Sequence, residues 1–368
     1  MSRPLILSLA LCAAAAPLAA QPVRPLPKPD AEFAEPFSQL IGLRELRDGR
    51  VVAADLRDKT VQVIDFTANA ARAVGREGSG PNEFGLPMRV VALAADTTAI
   101  FDPMNGRFFV VRPDGSPGGT FSAAGGDVTT RSPNGGAVRV GGMSPPQGTD
   151  ARGRMYFKGA PFVVGPDGPT QADSSPIFRV DRATGKTDTL GYAWNGEQAS
   201  VSGNAREMRV MIGIKPYAAS DEWTVLPDGR VAIVRARQKR VDVLGGAAPV
   251  RGPEFSVAPI AVGEAEKEEY REQRRRATPI MIQRTDGPGG ARTQAGTGAA
   301  RAMVAEPSEW PKTKPAYVAG SIFAAPNNTV WVQRSRKASD KVPVYDVFDA
   351  TGKMIDRISM PPETRVVG

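Results

Sequence analysis

The sequence predicts an all-β fold built from repeated four-stranded antiparallel meanders, and three observations predict it. Gly 39 and Pro 33 make up about a fifth of the 368 residues, well above the ~12% of average usage, so the chain is punctuated into many short elements. Apolar residues alternate in short runs, as in Val61-Gln62-Val63-Ile64, the period of a strand with one buried face. A tight-turn signal followed by such a run also recurs. Asp48-Gly49-Arg50-Val51-Val52 matches Asp228-Gly229-Arg230-Val231-Ala232, with Thr60-Val61-Gln62-Val63 and Arg240-Val241-Asp242-Val243 at the same offset, a turn and two strands each time.

Residues 1–20 read as a secretory leader: Arg3, an apolar run from Leu5 to Ala16, then Leu18-Ala19-Ala20 before Gln21. That run is too short and too Ala-rich for a membrane span, which takes about twenty apolar residues. The chain is therefore expected to be exported, to a periplasm or the exterior. Cleavage removes Cys12, the only cysteine, so stability rests on burial and strand pairing without disulfides. It also removes Arg3, one of 47 basic residues against 39 acidic, and leaves a formal charge of +7. Such a charge favours acidic partners or anionic surfaces. Nucleic acid is not expected, because no binding module is recognisable. Residues 21–35 are Pro-rich and predict an extended lead-in.

The repeat then fills residues 36–360. The second unit places Asp102 where the first has Asp55, followed by Arg107-Phe108-Phe109-Val110 and the turn Pro113-Asp114-Gly115. A third runs from Gly153-Arg154 to Ala183-Thr184-Gly185-Lys186, and the last ends on the related Ala350-Thr351-Gly352-Lys353. Apolar strands precede the first turns at 41–46, 89–94, 217–226 and 317–325. A four-stranded meander of roughly 40–50 residues is the unit of a β-propeller blade. Residues 361–368 form a tail.

Between the first two units lies Gly75-Arg76-Glu77-Gly78-Ser79-Gly80-Pro81-Asn82-Glu83-Phe84. It lacks the Gly-Lys-Ser/Thr ending of a phosphate loop and is expected to cross from blade to blade, with Phe84 as a plug between sheets. The signature Gly75, Gly78, Gly80, Pro81, Glu83 and Phe84 resembles the inter-blade motif of bacterial six-bladed β-propeller proteins related to NHL-repeat and TolB-like propellers. Asn82 replaces a glycine of that motif and is a residue that tolerates the left-handed region. The resemblance implies six blades. Five are legible, so a sixth is expected near 190–215 or 255–315.

An insertion at about 262–315 interrupts the late blades. Glu264 to Arg276 should be helical, acids first and bases last as the helix dipole favours. Thr285 to Gly298 is expected as a flexible loop.

The chain contains no histidine, which removes the Ser-His-Asp triad, histidine bases and histidine-ligated metals together. No catalytic set is visible. Asp55 and Asp102 occupy equivalent strand ends; they read as turn caps or, more sharply, as part of a Ca²⁺-binding ring. No cofactor is expected beyond such a Ca²⁺. Arg76, Arg89, Arg107, Arg235, Arg237, Arg334 and Arg336 fall in loops that share one propeller face, where they are candidates for binding an acidic ligand or protein partner. Trp223, Trp310 and Trp331, with Phe101, Phe157 and Phe348, are expected to pack between blades. The leading expectation is a non-catalytic binding scaffold. The alternatives are a Ca²⁺-type hydrolase or lactonase at the central channel, and a TolB-like envelope-complex subunit.

Overall fold

The computed structural model describes residues 22–122, 128–131, 137–140, 145–165, 168–196, 200–204, 209–213, 215–276, 281–287, 290–296, 307 and 309–367. The expected leader 1–20 lies outside them. Five four-stranded antiparallel meanders follow one another along the chain, the last extended by a parallel strand from the lead-in. Blade 1 is Leu40–Glu45, Val51–Asp55, Thr60–Asp65 and Ala70–Ala73; blade 2 is Arg89–Ala92, Thr98–Asp102, Arg107–Val111 and Pro117–Ser122. Blade 3 is Gly148–Thr149, Met155–Lys158, Ser174–Val180 and Thr187–Trp194. Blade 4 is Glu222–Val225, Val231–Arg235, Arg240–Leu244 and Val250–Arg251. Blade 5 is Tyr317–Ala324, Val330–Arg334, Val344–Phe348 and Met354–Ser359. The fold is a β-propeller in which the first strand of each blade is innermost.

The described residues hold five such sheets where six were expected. Of the two stretches assigned to a sixth, one forms a single hairpin, Ser200–Asn204 with Arg209–Gly213. The other forms helix α1, Glu264–Arg276, and a second hairpin, Met281–Gly287 with Gly290–Gly296. That hairpin takes residues 285–287 and 290–296 of the stretch expected as a loop, pairing Gly287 with Gly290; the remainder of 285–298 lies outside the described residues.

Apolar burial lies in the gaps between blades. Val52, Val61, Phe84, Ile100 and Phe109 join blades 1 and 2; Val91, Phe101, Phe108 and Met155 join blades 2 and 3. Tyr156, Ile177, Trp223 and Ile233 fill the next gap, and Val234, Val241, Val332 and Phe348 the one after. Blades 2, 3 and 4 thus bury both faces against their neighbours, which suits the Val-rich strand sequences. The Asp-Gly-Arg turns add polar ties across the same gaps. Arg50 folds onto Asp48 and reaches the carbonyls of Pro113 at 2.7 Å and Asp114 at 3.1 Å in blade 2. Arg230 folds onto Asp228 in the same way and points toward Ala350 O in blade 5.

The Pro-rich lead-in is not free. Arg24–Pro25 pairs in parallel with the outer strand of blade 5, Arg24 opposite Ile358, and Arg24 pairs with Asp356. Proline is tolerated on that edge because it owes no hydrogen bond to a further strand. From the other terminus Arg365 donates to Leu40 O of blade 1 at 2.8 Å.

Candidate functional site

The crossing 75–84 carries the chain from blade 1 to blade 2, and Phe84 is 1% exposed against Phe109 at 5.3 Å between ring centroids. Gly75 sits at φ 73°, where a Cβ would come within 2.8 Å of Asn82 O and 2.9 Å of the Phe109 ring. Only glycine fits there. Asn82 needs no left-handed backbone, since positive φ in this stretch falls on Gly75 and Gly78. Glu83 accepts from the Gly80 N–H and pairs with Arg76, both at 2.7 Å; the backbone bond first and Arg76 second hold its carboxyl below the usual range.

Asp55 and Asp102 cap and tether. Asp55 accepts from the Arg57, Asp58 and Gln39 N–H groups at 2.8–3.0 Å. Asp102 accepts from Gly85 and Leu86 N–H, both at 3.0 Å, and from the Asn105 amide at 2.6 Å. In both blades the carboxylate at the end of the second strand pins the lead-in to the first. Blade 4 makes the same tie with the carboxylate on the opposite side: Asp221, ahead of the first strand, accepts from Ala236 N–H at 3.0 Å and pairs with Arg235 at 2.9 Å. Among the described residues no group of three Asp, Glu, His or Cys side chains gathers at metal-binding distance.

The seven arginines take separate places. Arg107 clamps the crossing through Gly80 O and Glu83 O at 2.7 and 2.9 Å. Arg235 bridges Asp221 and Asp242, and Arg334 shares buried Asp346 with Arg357. Arg237 lies 3.9 Å over the Trp194 ring, and Arg76 remains on the surface beside Glu83. Arg89 donates to Gln147 O at 2.9 Å, and burial lowers its proton affinity. Arg76 lines an open hollow of ≈ 460 Å³ along the crossing, and Arg336 alone of the seven lines the cleft beside α1.

That cleft, of ≈ 340 Å³, lies between α1 and the lead-ins of blades 4 and 5; its walls include Lys215, Tyr217, Glu269, Tyr270, Lys314 and Arg336. The insertion springs from a short antiparallel ladder, with Val262 N–H on Lys312 O at 3.0 Å and Lys314 N–H on Ile260 O at 2.8 Å. Helix α1 starts at a capping arrangement, where Glu266 reaches back to the Gly263 N–H at 3.1 Å. The other oxygen of Glu266 accepts from Ala338 N–H at 3.1 Å, docking α1 on the loop after Arg334. Tyr217 adopts φ 50°, a conformation that costs a bulky residue of order 1–3 kcal/mol. Its hydroxyl donates to Glu266 O at 2.5 Å and its ring packs 5.4 Å from Tyr270. Glu269 is held between Lys314 at 2.7 Å and Arg336 at 3.1 Å, while Lys215 lies 4.0 Å from the exposed Glu309. Trp310 packs on Tyr270 at 5.5 Å beside this cleft rather than between blades.

A smaller arm of ≈ 130 Å³ continues past Ala218, Pro315 and Ala319, which line both spaces, to Ser220, Glu222 and Phe255. Sequence reasoning missed Tyr217, Lys314 and Glu222. One signal was present: a Lys-Pro step with a tyrosine close behind, Lys215-Pro216-Tyr217 and Lys314-Pro315-Ala316-Tyr317, occurs near the start of the first strand in two adjacent blades.

No family model matches the chain, and no curated protein matches it. Among solved structures it is similar to a proposed gluconolactonase, at 11% identity and TM-score 0.39 over 94% of this chain and 88% of that one. It is similar to a streptogramin B lyase, at 10% identity and TM-score 0.34 over 85% and 80%. A calcium-binding regucalcin from Agrobacterium tumefaciens gives 10% identity and TM-score 0.34 over 89% and 76%. Likenesses this distant carry no argument about function; the propeller assignment stands on the sheets themselves.

Proposed function

We propose that this chain is an exported, non-catalytic binding propeller, akin to NHL-repeat and TolB-like propellers, that takes a small amphipathic anion between α1 and blades 4 and 5. The cleft lined by Lys215, Lys314 and Arg336 beside Tyr217 and Tyr270 carries this reading. Its walls are mostly apolar with a few convergent polar groups, the make-up of small-molecule sites. One carboxylate, Glu269, faces three cations, so an anionic head is favoured over a cationic one. Export rests on the leader pattern of residues 1–20.

Calorimetric titration with octanoate, in wild type and in Lys314→Met checked for unchanged melting, tests the reading. Octanoate should bind, and the substitution should weaken it by about ten- to a hundredfold, a charge-assisted contact of roughly 1.5–3 kcal/mol being lost. Equal binding of octylamine, or no heat with octanoate, overturns it. The Ca²⁺-dependent hydrolase reading is less favoured because Asp55 and Asp102 already direct both oxygens at backbone N–H groups. A Ca²⁺ heat that vanishes in Asp102→Asn would restore it.

A further inference from the structure

The inner arm of the cleft ends on a carboxyl group whose surroundings are unusual. Glu222 opens the first strand of blade 4 and faces the first strand of blade 5. There the pairing register slips between Tyr317 and Ile322, and Gly320 takes φ 70°. Such a bulge releases a backbone N–H from the ladder, and the Gly320 N–H is aimed at Glu222 Oε2, at 2.8 Å. A backbone N–H can only donate, so Oε2 is an accepting oxygen. Oε1 accepts from Ser220 Oγ at 3.2 Å, but a hydroxyl, unlike a backbone N–H, can turn to accept instead. Oε1 is therefore the place for a proton.

We propose that the inner arm holds an oxygen of the ligand and that the Glu222 carboxyl donates a hydrogen bond to it from Oε1. The ligand class is then an amphipathic acid bearing a second acceptor, such as a ketone, remote from its carboxylate. This rests on the binding role assigned to the cleft above. Burial, the largest influence on Glu222, raises its proton affinity, and Asp221 adds to it; the Gly320 N–H, Ser220 and Lys158 act the other way. Lys239 lines the same arm from blade 4. A neutral Glu222 accommodates a ligand oxygen, whereas an ionised one presents only acceptors to it and repels the anionic body. Affinity for such a ligand should fall as pH rises through the raised value, because only the protonated form donates.

The test compares octanoate with 7-oxooctanoate by calorimetry from pH 5 to 8, in wild type, Glu222→Gln and Glu222→Ala, each checked for unchanged melting. The ketone should bind about tenfold tighter than octanoate at the acid end, and this advantage should shrink as pH rises. Glu222→Gln, whose amide donates without titrating, should keep the advantage at every pH, and Glu222→Ala should lose it throughout. Octanoate binding without discrimination, or a pH dependence that survives in Glu222→Gln, overturns the proposal and leaves the cleft reading standing. Failure of both acids to bind at any pH overturns both.

Discussion

At the scale of single residues, buried carboxylates hold the lead-ins and loops. Asp346 is 1% exposed and takes Arg357 at 2.7 Å, Arg334 at 3.1 Å and the Tyr317 hydroxyl at 3.0 Å. Asp346→Ala leaves two part-buried guanidinium groups without their counter-ion and should destabilise by about 3–5 kcal/mol in urea denaturation. Phe84→Ala should cost about 3–5 kcal/mol, as a large side chain leaves a closed gap between two sheets. Arg76, whose side chain is 81% exposed, should tolerate alanine within about 0.5 kcal/mol. Equal effects from these last two would mean that the crossing is a surface loop. Glu222 gives a pH signature of the folded chain alone. Its proton affinity is higher folded than unfolded, so it favours folding at low pH and this contribution is lost as pH rises through the raised value. Glu222→Gln should flatten that slope, measured as unfolding free energy between pH 4 and 8. The turn-capping role of Asp55 was legible from its position. That of Asp221 was not, because the same bond is made with the acid on the other segment, and an alignment by position cannot see the exchange.

At the scale of elements, strands and turns were legible because each blade states its own period and its own Gly or Asn turn. Helix α1 was legible from its charges, and its ends agree with Glu264–Arg276. The hairpin Met281–Gly287 with Gly290–Gly296 was hidden by Gly-rich strands that carry no apolar alternation. The first strand of blade 3, Gly148–Thr149, is too short to show a period at all. The cleft was only half legible, because its walls come from three separate stretches that the ladder at Ala261 and Thr313 brings together. Replacing residues 264–310 by a short Gly-Ser linker should leave the five sheets intact by circular dichroism while abolishing octanoate binding. Loss of the β signal would mean instead that the insertion is part of the propeller core.

At the scale of the whole molecule, the four gaps from blade 1 to blade 5 contain apolar clusters, and the lead-in and the segment after blade 5 tie into blades 5 and 1. Arg24–Pro25 lies on blade 5, and Arg365 reaches Leu40 of blade 1. Deleting residues 22–30 removes a short ladder and an ion pair and should cost about 1–2 kcal/mol, read from the melting temperature. This closure also orders events in time. A chain leaving the ribosome presents residues 24–25 long before their partner strand, Met354–Ser359. Until then the third strand of blade 5 is an open edge, a template for unwanted pairing with another chain. Termination just ahead of that last strand should therefore yield aggregates out of proportion to the modest stability that the missing strand supplies.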